Sequence, residues 1–303
     1  MNKMKIWFNK KFVPWEKAKF HILTHTLHYG GGVFEGIRSY ETIDGKGAVF
    51  RLKDHIERFF ESAKSIHLKI PFSKKEIING VLEIIKVNKL KDSYIRPIAF
   101  WGEGTISLYP RKNPVNVGIM AFPFGAYLGE KPIKVLISKY IRLHPRSVIP
   151  SAKVCGYYIN SILAIIEAHS KGYDEALLLD YRGFIAEGSG ENIFIVKNKK
   201  IYTPKLGNIL PGITRDSVIK IAKDNGIKVI EKDLTLKELF NADEAFFTGT
   251  AAEIVPIGQV NNKLINQGKE GEITRFLRET FKNIVRGKIG KYKNWLTYVK
   301  YVK

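Results

Sequence analysis

Short strand-like runs and helix-period runs interleave along the whole chain, on both sides of one exposed connection, and that interleaving admits few architectures. Before the connection the strand-like runs are Lys5–Phe8, Lys11–Trp15, Val33–Tyr40, Tyr94–Trp101 and Val115–Phe122. Between them, Leu52–Ile66 sets Ile56, Phe59, Phe60, Ala63 and Ile66 on one helical face. A second helix opens at Ser73 with Glu76 three residues on, a capping box, and buries Ile77, Val81, Leu82 and Ile85. Pro123–Gly129 reads as the connection. After it come strands at Ile133–Ile137, Glu175–Asp180, Phe184–Ala186, Ile193–Val196, Lys200–Tyr202, Glu244–Phe247 and Glu253–Pro256. Helices are expected at Tyr158–Ser170, ending near Gly172, at Arg215–Asp224 before Gly226, from a second capping box at Thr235 and Glu238, and at Ile273–Val285. The pattern predicts two domains of mixed α+β (α/β) character: 1–124, a loop at 125–132, and 133–303, with a site in the crevice between them.

Composition excludes several classes. A single cysteine, Cys155, rules out an intrachain disulfide framework and all-cysteine metal sites. No window approaches the ~18 apolar residues of a membrane span. The first residues lack the apolar core of a signal peptide, so the cytoplasm is the expected address. The net charge of +21 raises the question of a nucleic-acid partner, but the positive residues are mostly lysines dispersed among acids, without a zinc finger or arginine tract. His25 and His28 have metal-like helical spacing without a third ligand, and structural roles are expected for them.

Four segments stand out. Lys153 lies between Ala152 and Val154, just before a helix, where desolvation favours the neutral amine that carbonyl chemistry requires. Gly183–Asn192 is a strand ending in a glycine-rich turn with two carboxylates, Glu187 and Glu191. It is either a hairpin with solvated acids or a rigid mount for a carboxylate against a cationic ring nitrogen, with Gly188 and Gly190 letting a flat ring lie close. Leu210–Asp216 places a glycine before a helix whose Ile213 and Thr214 N–H groups could seat a phosphate, or simply begin a helix. Thr248–Glu253 is a small-residue turn, either plain or a second anion site.

Together with Leu27–Arg38 and Tyr94–Pro97, these segments occur in the order and spacing of a known family. The chain resembles the fold-type IV pyridoxal-phosphate (PLP) aminotransferases, a D-amino-acid-aminotransferase-like fold with the cofactor between two domains, and is most similar to their branched-chain group. The resemblance implies that Lys153 carries PLP covalently and moves the substrate's α-proton, and that Glu187 pairs with the pyridine nitrogen. It implies that Tyr158 bonds the ring hydroxyl and that Arg58, Ile213, Thr214 and Thr250 hold the phosphate, with Gly190 beside the cofactor. Without the resemblance Arg58 reads as a solvated residue on the polar side of its helix.

For the substrate, the resemblance implies an aromatic-walled pocket of Tyr29, Phe34 and Tyr127, with Leu108 closing the pocket of a neighbouring subunit. Tyr94, Arg96 and the N–H groups of Thr250, Ala251 and Ala252 are expected at the α-carboxylate, and Arg38 and Arg96 at the second carboxylate of glutamate. The implied reaction exchanges amino groups between leucine, isoleucine or valine and 2-oxoglutarate, in a homo-oligomer that is a dimer or an assembly of dimers. D-amino-acid aminotransferase and aminodeoxychorismate lyase are the rivals within the fold type, and a basic nucleic-acid-binding protein the rival outside it. Cys155, Tyr157 and the loop Gly102–Pro110 depart from the usual family pattern, which bears on substrate range rather than chemistry.

Overall fold

The computed structural model describes residues 4–110, 112–125, 128–129 and 131–300. The chain forms two compact units. The first comprises Met1–Gly125, Ala152–Tyr157 and Asn283–Lys303, and the second Ala126–Ser151 and Tyr158–Lys282. A division at 124/133 therefore differs from the structure in two places, each with a physical reason. Residues 152–157 lie with the first unit because Val154 bridges to Val33, burying Ala152 and Val154 in that unit's core. The C-terminal segment does so because its last strand adds to the first sheet.

In the first unit the chain runs β1 (Lys5–Phe8), β2 (Lys11–Pro14), α1 (His25–Tyr29), β3 (Gly32–Phe34), β4 (Ile37–Glu41) and β5 (Gly47–Phe50). Then come α2 (Leu52–Ser65), α3 (Lys74–Val87), β6 (Ser93–Trp101) and β7 (Val115–Pro123). The expected strand Val33–Tyr40 is broken at Glu35–Gly36, so that β3 and β4 both pair with β6. Ser73 and Glu76 form the capping box that opens α3. One face of α3 buries Ile77, Val81, Ile84 and Ile85 against the sheet, where Trp7, Ile95 and Ile119 also lie, while Leu82 is only partly covered.

The second unit contains β8 (Ile133–Ile137), α4 (Tyr158–Ser170), β9 (Glu175–Leu179), β10 (Ile185–Gly188), β11 (Asn192–Lys197), β12 (Lys200–Pro204) and α5 (Ile213–Asp224). It continues with β13 (Val229–Lys232), α6 (Leu236–Phe240), β14 (Glu244–Gly249), β15 (Glu253–Val260), β16 (Lys263–Leu264) and α7 (Glu272–Val285). The strand β17 (Leu296–Tyr298) then pairs with β5 and ends the first unit's sheet, ordered β17-β5-β4-β6-β7-β1-β2. The second sheet runs β10-β9-β8-β15-β14-β11 and closes on itself where β10 meets β11, at Glu187 opposite Asn192. Closure leaves these six strands no open edge at that point. On α4 the large apolar residues Ile159, Ile162, Leu163 and Ile166 are exposed, while Ala164, Glu167 and Ala168 are buried. Among the described residues no helix is long and apolar enough to cross a membrane.

Candidate active site

Each unit carries its own polar cluster. In the first, the helix α2 offers His55, Arg58 and Ser62 at helical spacing on an inward row. The expected solvated position of Arg58 is thus corrected: its side chain is 11% exposed and bonded to Glu35, which is fully buried in the break between β3 and β4. Arg58 donates from Nε to Oε1 at 2.7 Å and from Nη2 to Oε2 at 2.9 Å. His55 Nδ1 lies 2.8 Å from Oε2, and the Gly36 N–H donates to the same oxygen at 3.2 Å. Burial pushes the Glu35 carboxyl up, but Arg58 and His55 outweigh it and hold the acid well below the usual carboxylate range. Burial also drives the His55 imidazole down, against the opposing pull of Glu35. A neutral ring beside an acceptor-only carboxylate carries its proton on Nδ1.

The strand end holding Glu35 also holds Lys153. Phe34 N–H donates to the Lys153 carbonyl at 3.1 Å, and Lys153 N–H donates to Ser62 Oγ at 3.0 Å. The half-buried Lys153 side chain sets Nζ 4.9 Å from the Phe34 ring centroid, and the Arg96 guanidinium lies 4.6 Å from the same centroid. Arg96 Nη2 donates to Tyr94 Oη at 3.0 Å, while its buried Nε has no hydrogen-bond partner. A Cβ on Gly36 would meet that same Tyr94 hydroxyl, so a side chain there would displace Tyr94. Phe34, Tyr94, Arg96 and Lys153 are therefore brought together, with Arg58 reached through Glu35. Arg38 is buried directly opposite Tyr94 across the β4–β6 pair, stacked on Tyr40 and on Phe124, which also packs against Tyr94. Tyr29 donates to the Ile106 carbonyl at 2.7 Å, in the loop where Leu108 stands 82% exposed. Tyr127 lies outside the described residues. His25 and His28 bond the Ser107 and Ile22 carbonyls. Burial pushes the Cys155 thiol up to about 11, as expected of a packed residue and not of a nucleophile.

In the second unit Glu187 is buried at the point of sheet closure, so the hairpin with solvated acids does not apply. Its Oε1 accepts from Arg142 Nε at 2.6 Å, and its Oε2 accepts from Asn192 Nδ2 and the Leu210 N–H, both at 3.1 Å. Asn192 also donates to the Leu210 carbonyl at 3.0 Å. These bonds tie Glu187 to the segment leading into α5, whose N-cap is Gly212 and whose first turn has no side-chain cap. The N–H groups of Ile213 and Thr214 open that turn. Arg142 reaches Asn160 at 3.4 Å, in the first turn of α4, which begins with the half-buried Tyr158. Gly190, between Glu187 and Asn192, donates to Glu191 Oε2 at 3.1 Å. The turn Thr250-Ala251-Ala252 joins β14 to β15, and Gly249 before it packs on Glu191. Thr248 Oγ1 is buried without a hydrogen-bond partner.

Sequence reasoning missed Arg142, the role of Asn192, and the Glu35–His55 support of Arg58. Glu35 stood inside a quoted motif, and His55 lies one helical turn before Arg58; those were the available signals. Arg142 carried none, being one arginine in an irregular segment.

The donor sets fit pyridoxal phosphate. An uncapped helix start suits a phosphate, a pinned carboxylate suits a ring nitrogen, and the orphaned Arg96 Nε suits a carboxylate. With the half-buried Lys153 beside Arg96 on the Phe34 ring, these groups are those an aminotransferase uses. The chain belongs to the class IV aminotransferase family, whose model matches residues 32–260. Its relatives narrow the group. It is 45% identical to the branched-chain-amino-acid aminotransferase of Pseudomonas aeruginosa, over 97% of each chain. The crystal structure of the branched-chain aminotransferase from Thermoproteus uzoniensis with norvaline superposes with a TM-score of 0.95, at 45% identity over 98% of this chain and 99% of that one. The Escherichia coli branched-chain amino acid aminotransferase gives 0.96, at 39% identity over 98% of this chain and 100% of that one.

Proposed function

We infer that this protein is a PLP-dependent branched-chain-amino-acid transaminase, passing the amino group between leucine, isoleucine or valine and 2-oxoglutarate. The carrying observation is the Lys153 amine and the Arg96 guanidinium on one aromatic ring, Phe34, with Tyr94 bonded to that guanidinium. An amine is thereby set beside a carboxylate receptor and an apolar wall, which is what an α-amino acid with a branched side chain presents.

When bound, PLP supplies an electrophilic aldehyde and an electron-accepting ring. The chain supplies the rest. Lys153 Nζ would anchor the cofactor and would be the general acid/base that takes and gives back the substrate's α-proton. Glu187, whose oxygens accept from Arg142, Asn192 and the Leu210 N–H, would keep a proton on the ring nitrogen. Tyr158 orients the ring hydroxyl, Gly190 leaves room for the ring, and Arg58, Ile213, Thr214 and Thr250 bind the phosphate. Arg96, Tyr94 and the Thr250-Ala251-Ala252 turn take the α-carboxylate, and Arg38 joins Arg96 in admitting glutamate. Tyr29 and Phe34 wall the side-chain pocket. Burying a branched side chain there contributes about 1.5–3 kcal/mol, and one methylene discriminates only about 10–200-fold, so leucine, isoleucine and valine overlap.

The exposed apolar face of α4 and the exposed Leu108 support a homo-oligomer in which Leu108 serves a neighbouring copy. A lone cysteine supports a cytoplasmic address. Borohydride reduction followed by peptide mapping tests the anchor: the adduct is expected on Lys153 and nowhere else. Amino transfer from L-leucine, and none from D-alanine, is the expected specificity; transfer from D-alanine alone overturns it.

A further inference from the structure

We propose that Glu35 is a positioning residue for the cofactor's phosphate: its buried carboxylate sets the plane and direction of the Arg58 guanidinium. The proposal rests on the reading of Arg58 as a phosphate ligand.

Contacts at 2.7 and 2.9 Å occupy the Nε/Nη2 edge of Arg58, and two such contacts fix the guanidinium plane. The Nη1 edge then points away from Glu35. Glu35 cannot turn to follow Arg58, because His55 and the Gly36 N–H hold Oε2 and the side chain is fully enclosed. Gly36 is itself confined by the Tyr94 hydroxyl. The residue before Glu35 binds the Lys153 carbonyl, and Ser62, one turn beyond Arg58 on α2, receives the Lys153 N–H. The spacing between the anchoring lysine and the guanidinium is thus set by one strand end and one helix, with Glu35 as the joint.

A buried ion pair is seldom retained for stability alone, since desolvation offsets the attraction. An arginine needed only for bulk charge has no use for a fixed fork; one that must meet phosphate oxygens does.

The test compares binding of PLP and of pyridoxal, which has the same ring and aldehyde without the phosphate, to apoproteins of wild type, Glu35→Gln, Glu35→Asp and Arg58→Ala. Glu35→Gln is expected to weaken PLP on the order of 10–100-fold, the range found when a metal-binding side chain loses its outer support, and to leave pyridoxal within about 2-fold. Glu35→Asp keeps the charge but is one methylene short, and is expected to lower the PLP-to-pyridoxal preference as well. It decides the matter if the glutamine variant does not fold. An unchanged preference in the folded Glu35 variants, or an equal loss of both ligands, overturns the proposal. If Arg58→Ala keeps the wild-type preference, the phosphate reading of Arg58 fails. If Arg58→Ala loses it while the Glu35 variants keep it, only the positioning role fails.

Discussion

Gly212 offers a test of how Glu187 is held. Its backbone, at φ −68° and ψ 134°, suits any residue, so Gly212→Ala brings no backbone strain. Space is the obstacle: the new methyl would lie 2.0 Å from Asn192 Oδ1 and 3.2 Å from Asn192 Cγ and Arg215 Cβ. Asn192 is fixed at its backbone by pairing with Glu187 and Thr248, so its buried side chain must rotate. Rotation breaks the bonds to the Glu187 carboxylate and the Leu210 carbonyl. A bond to a charged group contributes about 1.5–3 kcal/mol and a neutral one about 0.5–1.5, so a loss of roughly 2–4 kcal/mol is expected. Asn192→Ala forfeits the same bonds and should cost a similar amount. In the double variant the clash is gone, and stability should match Asn192→Ala to within about 1 kcal/mol. Urea unfolding of the four apoproteins, followed by circular dichroism, measures the cycle. Costs that simply add would show that the methyl and Asn192 do not compete for one space, and the reasoning fails.

Lys153→Ala should abolish transamination, with loss of the acid/base group alone worth about 10²–10⁴-fold; near-normal turnover of L-leucine excludes the assignment. Arg142→Met strands a buried carboxylate at Glu187 and should destabilise by about 3–5 kcal/mol in urea, with Arg142→Lys in between; equal midpoints for Met and wild type refute the pair's role. Burial raises Glu175, against hydrogen bonds that include one from Glu191. A raised acid keeps its proton when folded while the unfolded chain releases it near about 4.3, so the native state loses stability as pH climbs from there toward the folded value. Glu175→Gln should remove that slope; superimposable midpoint-versus-pH curves refute it. The Cys155 thiol, pushed up to about 11 by burial, should alkylate slowly at pH 8 and faster with each unit toward that value; a rate already at its plateau at pH 8 contradicts this.

Much of this was legible in the sequence where local physics decides. Both capping boxes, at Ser73 and Thr235, fall where the Ser/Thr-to-Glu spacing puts them, and α4 spans the expected Tyr158–Ser170. Periodicity failed where a distant partner overrides it. Arg58 reads as solvent-facing because its polarity matches the outer stripe, yet Glu35, 23 residues earlier, draws it inward. The strand break at Glu35–Gly36 was invisible for a similar reason, since the Tyr94 hydroxyl that a side chain at Gly36 would displace comes from β6. The strand β17 joins the first sheet by pairing with residues 48–50, a contact no local pattern encodes.

The two units solve one problem in mirrored ways. Each buries an arginine–carboxylate pair and surrounds the carboxylate with further donors: His55 and the Gly36 N–H on Glu35, Asn192 and the Leu210 N–H on Glu187. In the second unit the carboxylate is the proposed working group and Arg142 its support; in the first the proposed working group is the guanidinium, with Glu35 its proposed support. Stability alone does not account for such pairs, because well-packed apolar residues commonly serve a core at least as well. What a buried pair gives that a surface charge cannot is a fixed direction, since a side chain with two or more short bonds has no rotamer left to explore. On the proposed function, a phosphate calls for a fixed guanidinium at Arg58 and a ring nitrogen for a fixed carboxylate at Glu187. On that basis the supporting members, Glu35 and Arg142, should affect how tightly and in what orientation the cofactor is held before they affect the proton transfer at Lys153.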